Sequence, residues 1–242
     1  TTGTFSIHTP LKFEKIGLGL SVIQDEIGPT TNTGFYGDVS FRFNVTKNSK
    51  LAFGLKAGLD MFSASFGRLR VRDGNDVQYT TPIKNQLMPN FGFGAYWNSE
   101  KSYIGLTAPK IIQQDFDGAI TNGVTSQQDR HFFLMAGHAF DLNSVIQMIP
   151  SFTAKVVEDS PLSVDVNLNF MFYEKLWIGG GYRFDDSFIG NIVYHFTPQF
   201  RAGYAYDYTV SDLGDYNTGS HEIMLNYDLD FLGKGFKTPR LF

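Results

Sequence analysis

Cysteine is absent from this chain of 242 residues, and charged residues make up only 18% of it, against about 25% in average proteins. Without cysteine, the chain has neither a disulfide framework nor a cysteine-ligated zinc site. The formal net charge of −4 lacks the basic excess with which proteins hold the phosphate backbone. Composition therefore argues against nucleic acid as a partner.

Long hydrophobic runs are also missing. The richest run, FFLMAG at 132–137, is far shorter than the roughly 18 apolar residues of a transmembrane helix, which excludes a helical membrane protein. No secretory leader is present, because strand-like sequence begins directly at Thr1. We therefore expect an exported protein that has lost its leader ahead of this numbering.

Glycine and aromatic residues are abundant instead, with 25 Gly, 24 Phe and 12 Tyr, and they follow a period of two. In the segment 34–45, Phe41 and Phe43 alternate with Ser40 and Arg42. The same alternation recurs at 51–61, 162–172 and 221–231. A helix would repeat every 3.6 residues, so these segments are predicted to be strands with one apolar and one polar face.

About thirteen strands are predicted in this way. They lie near 4–9, 15–24, 34–45, 51–61, 90–98, 102–109, 130–141, 145–157, 162–172, 175–184, 187–196, 199–209 and 221–231. Many reach ten residues, whereas strands of soluble proteins usually have about five or six. Tilted membrane strands need about nine to eleven, so the lengths favour strands that cross a membrane.

The predicted connections alternate in length along the chain. Short ones are 10–15, 45–50, 98–101, 141–144, 173–175 and 196–199, and longer ones are 24–33, 63–89, 110–129 and 209–220. Short turns on one rim and long loops on the other are typical of outer-membrane barrels. The links at 157–161 and 184–187 break the contrast, because they are short on the long side.

Strand parity adds an expectation about the start of the chain. Bacterial barrels have an even number of strands, with both ends on the periplasmic side, so thirteen strands predict one more before Thr1. We expect residues 1–242 to form one all-β domain. It would be a transmembrane antiparallel β-barrel of about fourteen strands, closed against lipid in the outer membrane of a Gram-negative bacterium.

The polar face of these strands carries charges of both signs, which we expect to face the lumen. They are Asp38, Arg42, Lys56, Asp60, Lys155, Asp165, Arg183, Arg201, Asp207 and Asp228. A selective pore would favour one sign, so a mixed set indicates cross-strand pairs that brace the wall. Aromatic girdles at the membrane interfaces are predicted for Tyr36, Trp97, Tyr103, Trp177, Tyr204, Tyr206 and Tyr208.

Catalytic and metal-binding patterns are weak. On one strand, His131 and His138 would face opposite sides about 23 Å apart, so no metal site is predicted. His221 and Glu222, with Asp212 and Asp215 before them, form the only plausible cluster for a catalytic site. No nucleophile, base and orienting group can be assembled from it. We expect a protein that is not an enzyme and has no cofactor.

Loops are the expected place of specificity. Those at 63–89 and 110–129 are long enough either to fold inward as a plug or to reach a partner. The run SDLGDYN at 211–217 suits a turn, with a partner contact as the second interpretation. The residues assigned to partner binding are Asp212, Asp215, Tyr216, Asn217 and His221.

Nearly the whole chain resembles the PorP/SprF family of the type IX secretion and gliding-motility machinery of Bacteroidetes. The resemblance rests on KIGLGLSVIQDEIGPTTNTGFYGDVSFRF (15–43), LAFGLKAGLD (51–60), PNFGFGAYW (89–97), PLSVDVNLNFMFYEKLWIGGGYRF (161–184), RAGYAYDYTVSDLGDYNTGSHEIMLNYD (201–228) and PRLF (239–242). The block SDLGDYNTGSHEIML makes the resemblance specific, which the glycine-rich strand texture alone would not.

The resemblance implies an outer-membrane barrel that helps to export or retain a surface adhesin, through the adhesin's C-terminal sorting domain. It implies further partners, namely a peptidoglycan-binding periplasmic lipoprotein and other components of the secretion system. It brings no catalytic motif. Two other functions stay open on the residues alone. One is an outer-membrane channel or transporter of small hydrophobic ligands, and the other is a soluble β-sandwich or barrel with a binding role.

Overall fold

The computed structural model describes residues 1–11, 15–65, 83–116, 127–158, 160–215 and 217–229. Its strands are β1 (Thr2–Pro10), β2 (Ile16–Ile27), β3 (Thr30–Thr46), β4 (Ser49–Ala64), β5 (Ile83–Ser99), β6 (Ser102–Ala108), β7 (Gln114–Asp115), β8 (Gln127–Gln128), β9 (His131–His138), β10 (Phe140–Asp141), β11 (Ile146–Val157), β12 (Ser163–Phe172), β13 (Leu176–Arg183), β14 (Ser187–His195), β15 (Phe200–Thr209) and β16 (Ser220–Tyr227). No helix within these ranges is long and apolar enough to cross a membrane.

Fourteen strands form one antiparallel sheet that follows chain order, while β7 and β8 pair separately. The all-β class and the thirteen predicted strands are confirmed, and the described residues contain no helix longer than one 3₁₀ turn, Asp212–Asp215. The fourteenth strand arises because the predicted strand 130–141 breaks at Ala139 into β9 and β10. The strand expected before Thr1 lies outside the sequence and stays a prediction.

The chain divides into two compact units. The first comprises Thr1–Tyr96, Leu106–Phe132 and Val157–Ser160, and the second comprises Trp97–Gly105, Phe133–Val156 and Pro161–Phe242.

The predicted loop at 24–33 was wrong. β2 continues to Ile27 and β3 begins at Thr30, so that Gly28 and Pro29 alone make the turn. Gly28 has φ +55°, a conformation that glycine adopts without strain, and the Thr30 hydroxyl closes the turn by donating to the carbonyl of Ile27 at 2.8 Å. Thr30, Thr31 and Thr33 belong to β3, because β-branched residues favour strands.

The loop predicted at 63–89 was also too long. β4 runs to Ala64 and β5 begins at Ile83, and 66–82 lies outside the described residues. Asn85 in β5 has φ +50°, and its backbone N–H donates to the Ser63 hydroxyl at 3.1 Å. A side chain thus replaces a regular ladder bond at this irregular point.

In the first unit, β3 and β4 show the predicted alternation. Phe53 and Leu55 on β4 are exposed, while Asp60 on the opposite face is fully buried. The exposed side chains make up an apolar face, and the intervening small and charged residues make up a polar face. Burial is therefore inverted relative to a water-soluble sheet, whose apolar face would be covered.

On the polar face of the second unit, asparagine side chains form a hydrogen-bonded lattice over glycines of adjacent strands. Asn169 and Gly179 are cross-strand partners, as are Gly179 and Asn191, and the Asn191 amide donates to the Asn169 Oδ1 at 2.9 Å. A methyl group at Gly179 would overlap the Asn169 amide, and one at Gly181 would overlap Asn167. Glycine at these two positions is therefore a requirement of close approach.

We predict that Gly179→Ala and Gly181→Ala each destabilise the fold by about 1–3 kcal/mol, because the added methyl group displaces an asparagine amide. Gly190→Ala is the matched control, since nothing lies within 4 Å of a Cβ built there. The measurement is the urea midpoint of the purified protein in detergent, followed by tryptophan fluorescence. Equal midpoints for Gly181→Ala and Gly190→Ala would contradict the lattice.

Candidate functional site

The most buried charge on the polar face of the first unit is Asp60, which is 0% exposed. The Tyr36 hydroxyl donates to its Oδ1, and the Asn32 amide approaches the same oxygen at 3.4 Å. The Lys110 ammonium lies 2.7 Å from Oδ2. The carboxylate thus has a cationic partner and two donors, as a buried charge requires.

The register of β3 and β4 creates the space for this cluster. Gly34 is the cross-strand partner of Asp60, and Gly58 is that of Tyr36. A methyl group at Gly58 would overlap the Tyr36 ring, so the ring lies flat on the sheet over the glycine. The ammonium of Lys56 lies 5.1 Å from the ring centroid and that of Lys110 lies 5.7 Å from it, within cation–π range.

A second ion pair lies on the same face. Asp38 and Lys56 are direct cross-strand partners, with 2.8 Å between Oδ1 and the ammonium. Together with Asp60 and Lys110, they form two pairs of balanced charge. Asp38 with Lys56 links adjacent strands, and the carboxylates of Asp38 and Asp60 are both paired with a lysine. Arg42 lies on β3, nearer the β3–β4 turn.

In the second unit, Arg183 lies among three carboxylates. Its Nε is 2.8 Å from Asp165, its cross-strand partner, and its Nη1 is 3.2 Å from Asp186 and 3.3 Å from Asp207. One guanidinium can serve all three because its donors form a fork. Two negative charges stay unbalanced in this set. Arg201 lies elsewhere in the ladder, opposite His195 and Asn226.

The residues assigned to partner binding do not form one cluster. Asp212 and Asp215 lie on the 3₁₀ helix, and the Asn217 side chain accepts a bond from the N–H of Gly219 at 2.9 Å. Tyr216 lies outside the described residues. His221 belongs to β16 rather than to the loop, and Glu222 follows it on the opposite face of the strand.

His221 contacts tyrosines instead of aspartates. Its Nδ1 lies 2.7 Å from the Tyr204 hydroxyl, and its ring centroid is 4.8 Å from that of Tyr206. The start of the preceding loop is fixed independently, because the N–H of Val210 donates to the carbonyl of Asp186 at 2.7 Å. The end of the loop shares a neighbour with the histidine, because the Tyr206 hydroxyl donates to the carbonyl of Thr218 at 2.6 Å.

Part of the predicted aromatic girdle was wrong. Tyr36 is buried on the polar face, Tyr103 covers Gly137, and Trp177 packs against a buried cluster of Ala139, Ile149 and Met171. Two of these rings lie over glycines and the third packs on an apolar cluster, contacts that an alternating pattern does not reveal. Tyr204 and Tyr208 do lie exposed on the apolar face.

Two aromatic clusters on the apolar face of the second unit were missed. One is near the β13–β14 turn, where the Tyr182 ring lies 5.3 Å from Phe184 and 4.8 Å from Phe188. The other is near the β14–β15 turn, where the Phe196 ring lies 4.9 Å from Tyr194 and 5.5 Å from Phe200. All six aromatic residues have even numbers between 182 and 200, and this period of two is the signal that would have located them.

A metal centre is not evident in the described ranges, where no three His, Asp or Glu side chains converge to hold an ion. His138 instead pairs through its Nδ1 with the Ser102 hydroxyl at 2.7 Å. His131 lies 3.0 Å from the carbonyl of Asp129. The two histidines are thus paired with a hydroxyl group and a carbonyl group.

We predict that Asp60→Ala costs about 3–5 kcal/mol of stability, because it leaves the Lys110 ammonium and the Tyr36 hydroxyl without their buried partner. Asp38→Ala is the matched control. Its pair with Lys56 is about one third exposed, so we expect a cost of about 0–1 kcal/mol. Urea unfolding of the two variants side by side measures the difference, and similar costs would refute a special role for Asp60.

Comparison with known proteins places the chain in a family. The family described as "Type IX secretion system membrane protein PorP/SprF" matches residues 1–227, while no curated protein matches the chain. A crystal structure of a Pseudomonas aeruginosa FadL homologue is 12% identical, covers 92% of this chain and 74% of its own, and has a TM-score of 0.48. That distant likeness carries no conclusion. The family match confirms the resemblance seen in the sequence, and the chain belongs to the PorP/SprF family of type IX secretion system membrane proteins.

Proposed function

We propose that this chain is a transmembrane β-barrel of the outer membrane of a Gram-negative bacterium. In this proposal it binds an exported adhesin through the adhesin's C-terminal sorting domain and helps to export or retain it. The observation that carries the proposal is the exposed apolar face of the strands. It includes Phe35, Phe41 and Phe43 on β3, Phe53, Leu55 and Leu59 on β4, and Ile178, Phe188 and Ile192 on β13 and β14.

An exposed apolar face of this kind is unfavourable in water and favourable in lipid. Soluble monomers rarely expose contiguous apolar patches above a few hundred Å², whereas lipid-facing strands expose such residues at every second position. The aromatic clusters support a lipid boundary at both strand ends. Phe188 and Tyr194 on β14 are six residues apart, or about 20 Å by strand rise. That spacing is close to the apolar band of about 25 Å in outer-membrane barrels.

A charged substitution on the apolar face tests the membrane placement. Leu55 lies near the middle of β4, and we expect Leu55→Arg to cost about 2–4 kcal/mol in a bilayer. Val45 is about equally exposed, at 56% against 57%, but lies near the end of β3, so Val45→Arg should cost about 0–1 kcal/mol. Urea unfolding in phospholipid vesicles measures both. Two costs near zero would favour a water-soluble protein.

Binding to protein partners is proposed from the family and from the state of the polar face. Because the charges there are largely committed to ion pairs, no assembled catalytic group supports an enzyme, and no cofactor is proposed. The loops supply the surface for recognition, with Asp212, Asp215 and Asn217 as candidates. A peptidoglycan-binding lipoprotein and other secretion components are the further partners proposed.

The decisive experiment is a mild-detergent pull-down of the full-length protein from its native envelope, with mass spectrometry of what co-purifies. We expect to recover an adhesin with a C-terminal sorting domain or a peptidoglycan-binding lipoprotein. The double variant Asp212→Asn and Asp215→Asn is tested beside the wild-type protein. It should assemble normally, and less of the loop-bound partner should co-purify with it. Recovery of the barrel alone in several detergents would favour a channel, which conductance would then test.

A further inference from the structure

The side chain of Arg183 reaches across several strands of the second unit. Successive cross-strand partners on β12 to β15 form one row of the polar face, and they are Asp165, Arg183, Ser187 and Thr209. Asp207 lies two residues before Thr209 on β15 and points to the same face. Because Nη1 of Arg183 lies 3.3 Å from Asp207, the guanidinium extends over β14, the strand that carries Ser187. All of these residues belong to the second compact unit.

The hydroxyl group of Ser187 is buried in this row without a hydrogen bond. Ser187 is 1% exposed, and its Oγ has no partner among the residues that the structure describes. Most buried polar groups of native proteins are hydrogen-bonded, and leaving one unsatisfied lowers stability. The Ser187 hydroxyl is thus a free acceptor on the same face as the carboxylates around Arg183.

Arg183 holds its three carboxylates unequally. Its Nε and Nη2 both donate to Asp165, at 2.8 and 3.4 Å. The remaining nitrogen, Nη1, is shared between Asp186 at 3.2 Å and Asp207 at 3.3 Å, at the long end of the hydrogen-bond range. The side chains of Asp186 and Asp207 are 38% and 28% exposed. Both carboxylates are therefore weakly held by Arg183 and accessible to a second cation.

Asp186 also connects this site to the acidic loop that follows β15. Its carbonyl accepts the backbone N–H of Ser211 at 3.2 Å, and the Ser211 hydroxyl donates to its Oδ1 at 3.3 Å. Asp212 and Asp215 follow on the 3₁₀ helix. From 202 to 222 the sequence has four acidic residues and no lysine or arginine. The loop therefore brings no lysine or arginine to balance these carboxylates, and a basic partner complements them.

We propose that Asp186 and Asp207 bind a basic side chain, arginine or lysine, of the exported protein partner. The partner's cation replaces Nη1 of Arg183 between the two carboxylates, and the released N–H donates to the Ser187 Oγ. The bonds to Asp165 keep Arg183 in place during the exchange, so binding satisfies a hydroxyl that the free protein leaves unsatisfied. This assignment rests on the proposed function for the identity of the partner, and it deepens that function by naming the chemistry of recognition.

A labelled hexa-arginine peptide tests the site on the full-length protein in non-ionic detergent, with fluorescence anisotropy as the readout. We expect hexa-arginine to bind and a hexa-citrulline peptide, which has the same shape without the charge, not to bind. Equal binding of the two peptides, or binding of neither, would overturn the site. Displacement of hexa-arginine by millimolar calcium, but not by magnesium at equal ionic strength, would assign the carboxylates to a metal ion instead.

Neighbouring carboxylates provide the matched comparison. Asp186→Asn and Asp207→Asn should together weaken hexa-arginine binding about fivefold or more, since each partly exposed ion pair contributes up to about fivefold. Asp185→Asn removes a charge one residue away in the same turn, and its φ of +57° is one that asparagine also adopts. We expect it to weaken binding by about twofold at most. Equal losses in Asp185→Asn and Asp186→Asn would overturn the site, because general attraction to an acidic surface would then explain them.

Ser187→Ala separates a role in binding from a role in folding. Alanine removes a hydroxyl that has no partner in the free protein, so the urea midpoint should not fall. Affinity for hexa-arginine should fall several-fold, because Arg183 then has no acceptor for the N–H that the peptide releases. Wild-type affinity in Ser187→Ala would overturn the exchange, whatever the midpoint.

A pull-down from the native envelope connects the site to the partner. The double variant Asp186→Asn and Asp207→Asn should recover several-fold less exported protein than an equal amount of the wild-type protein. Undiminished recovery would overturn the assignment of the site to that partner and leave the proposed function standing. A wild-type pull-down without any exported protein, beside intact binding of hexa-arginine, would contradict the proposed function and not the site.

Discussion

An apolar face that stays exposed is the constraint on which the rest of the structure depends. Because successive side chains of a strand point to opposite sides, every exposed Phe or Leu forces its neighbours onto the other face. In β4, Leu55 and Leu59 are exposed, so Lys56 and Asp60 must be accommodated inside. Within each unit, the polar face must therefore satisfy its own hydrogen bonds and charges, beside the small buried apolar cluster of Ala139, Ile149 and Met171 in the second unit.

Glycines leave room on the polar face for large side chains of neighbouring strands. Some large polar side chains on the polar face lie over a small cross-strand neighbour, as Tyr36 lies over Gly58 and Asn169 over Gly179. The 25 glycines of the chain are thus not simply turn residues. Within strands, glycines such as Gly58, Gly179 and Gly181 lie beneath a side chain of the adjacent strand.

The strands could be predicted because a period of two is a local signal. The turn at Gly28 and Pro29 was misread because a Thr-rich run resembles a loop by composition while it continues a strand by propensity. The sequence indicated only that charges of both signs lie on the polar face. Which of them pair, as Asp38 does with Lys56 and Asp165 with Arg183, depends on strand register. The sequence left open whether the loop at 110–129 folds inward or reaches a partner. It could not predict that the Asn90 side chain accepts the N–H of Ile111, because the two residues are 21 positions apart and nothing local to Asn90 indicates the contact.

The distribution of charge bears on whether the chain binds or conducts. In the first unit, Asp38 and Asp60 each have a lysine, so that stretch of wall carries little net field to select an ion. In the second unit, Arg183 balances only one of three aspartates, and Asp186 of that set lies in the β13–β14 turn, bonded to the start of the loop with Asp212 and Asp215. The unbalanced negative charge therefore extends from the wall to the loop that carries Asp212 and Asp215. In the proposed function, electrostatic complementarity at this loop would steer the approach and orientation of a partner with a positively charged surface.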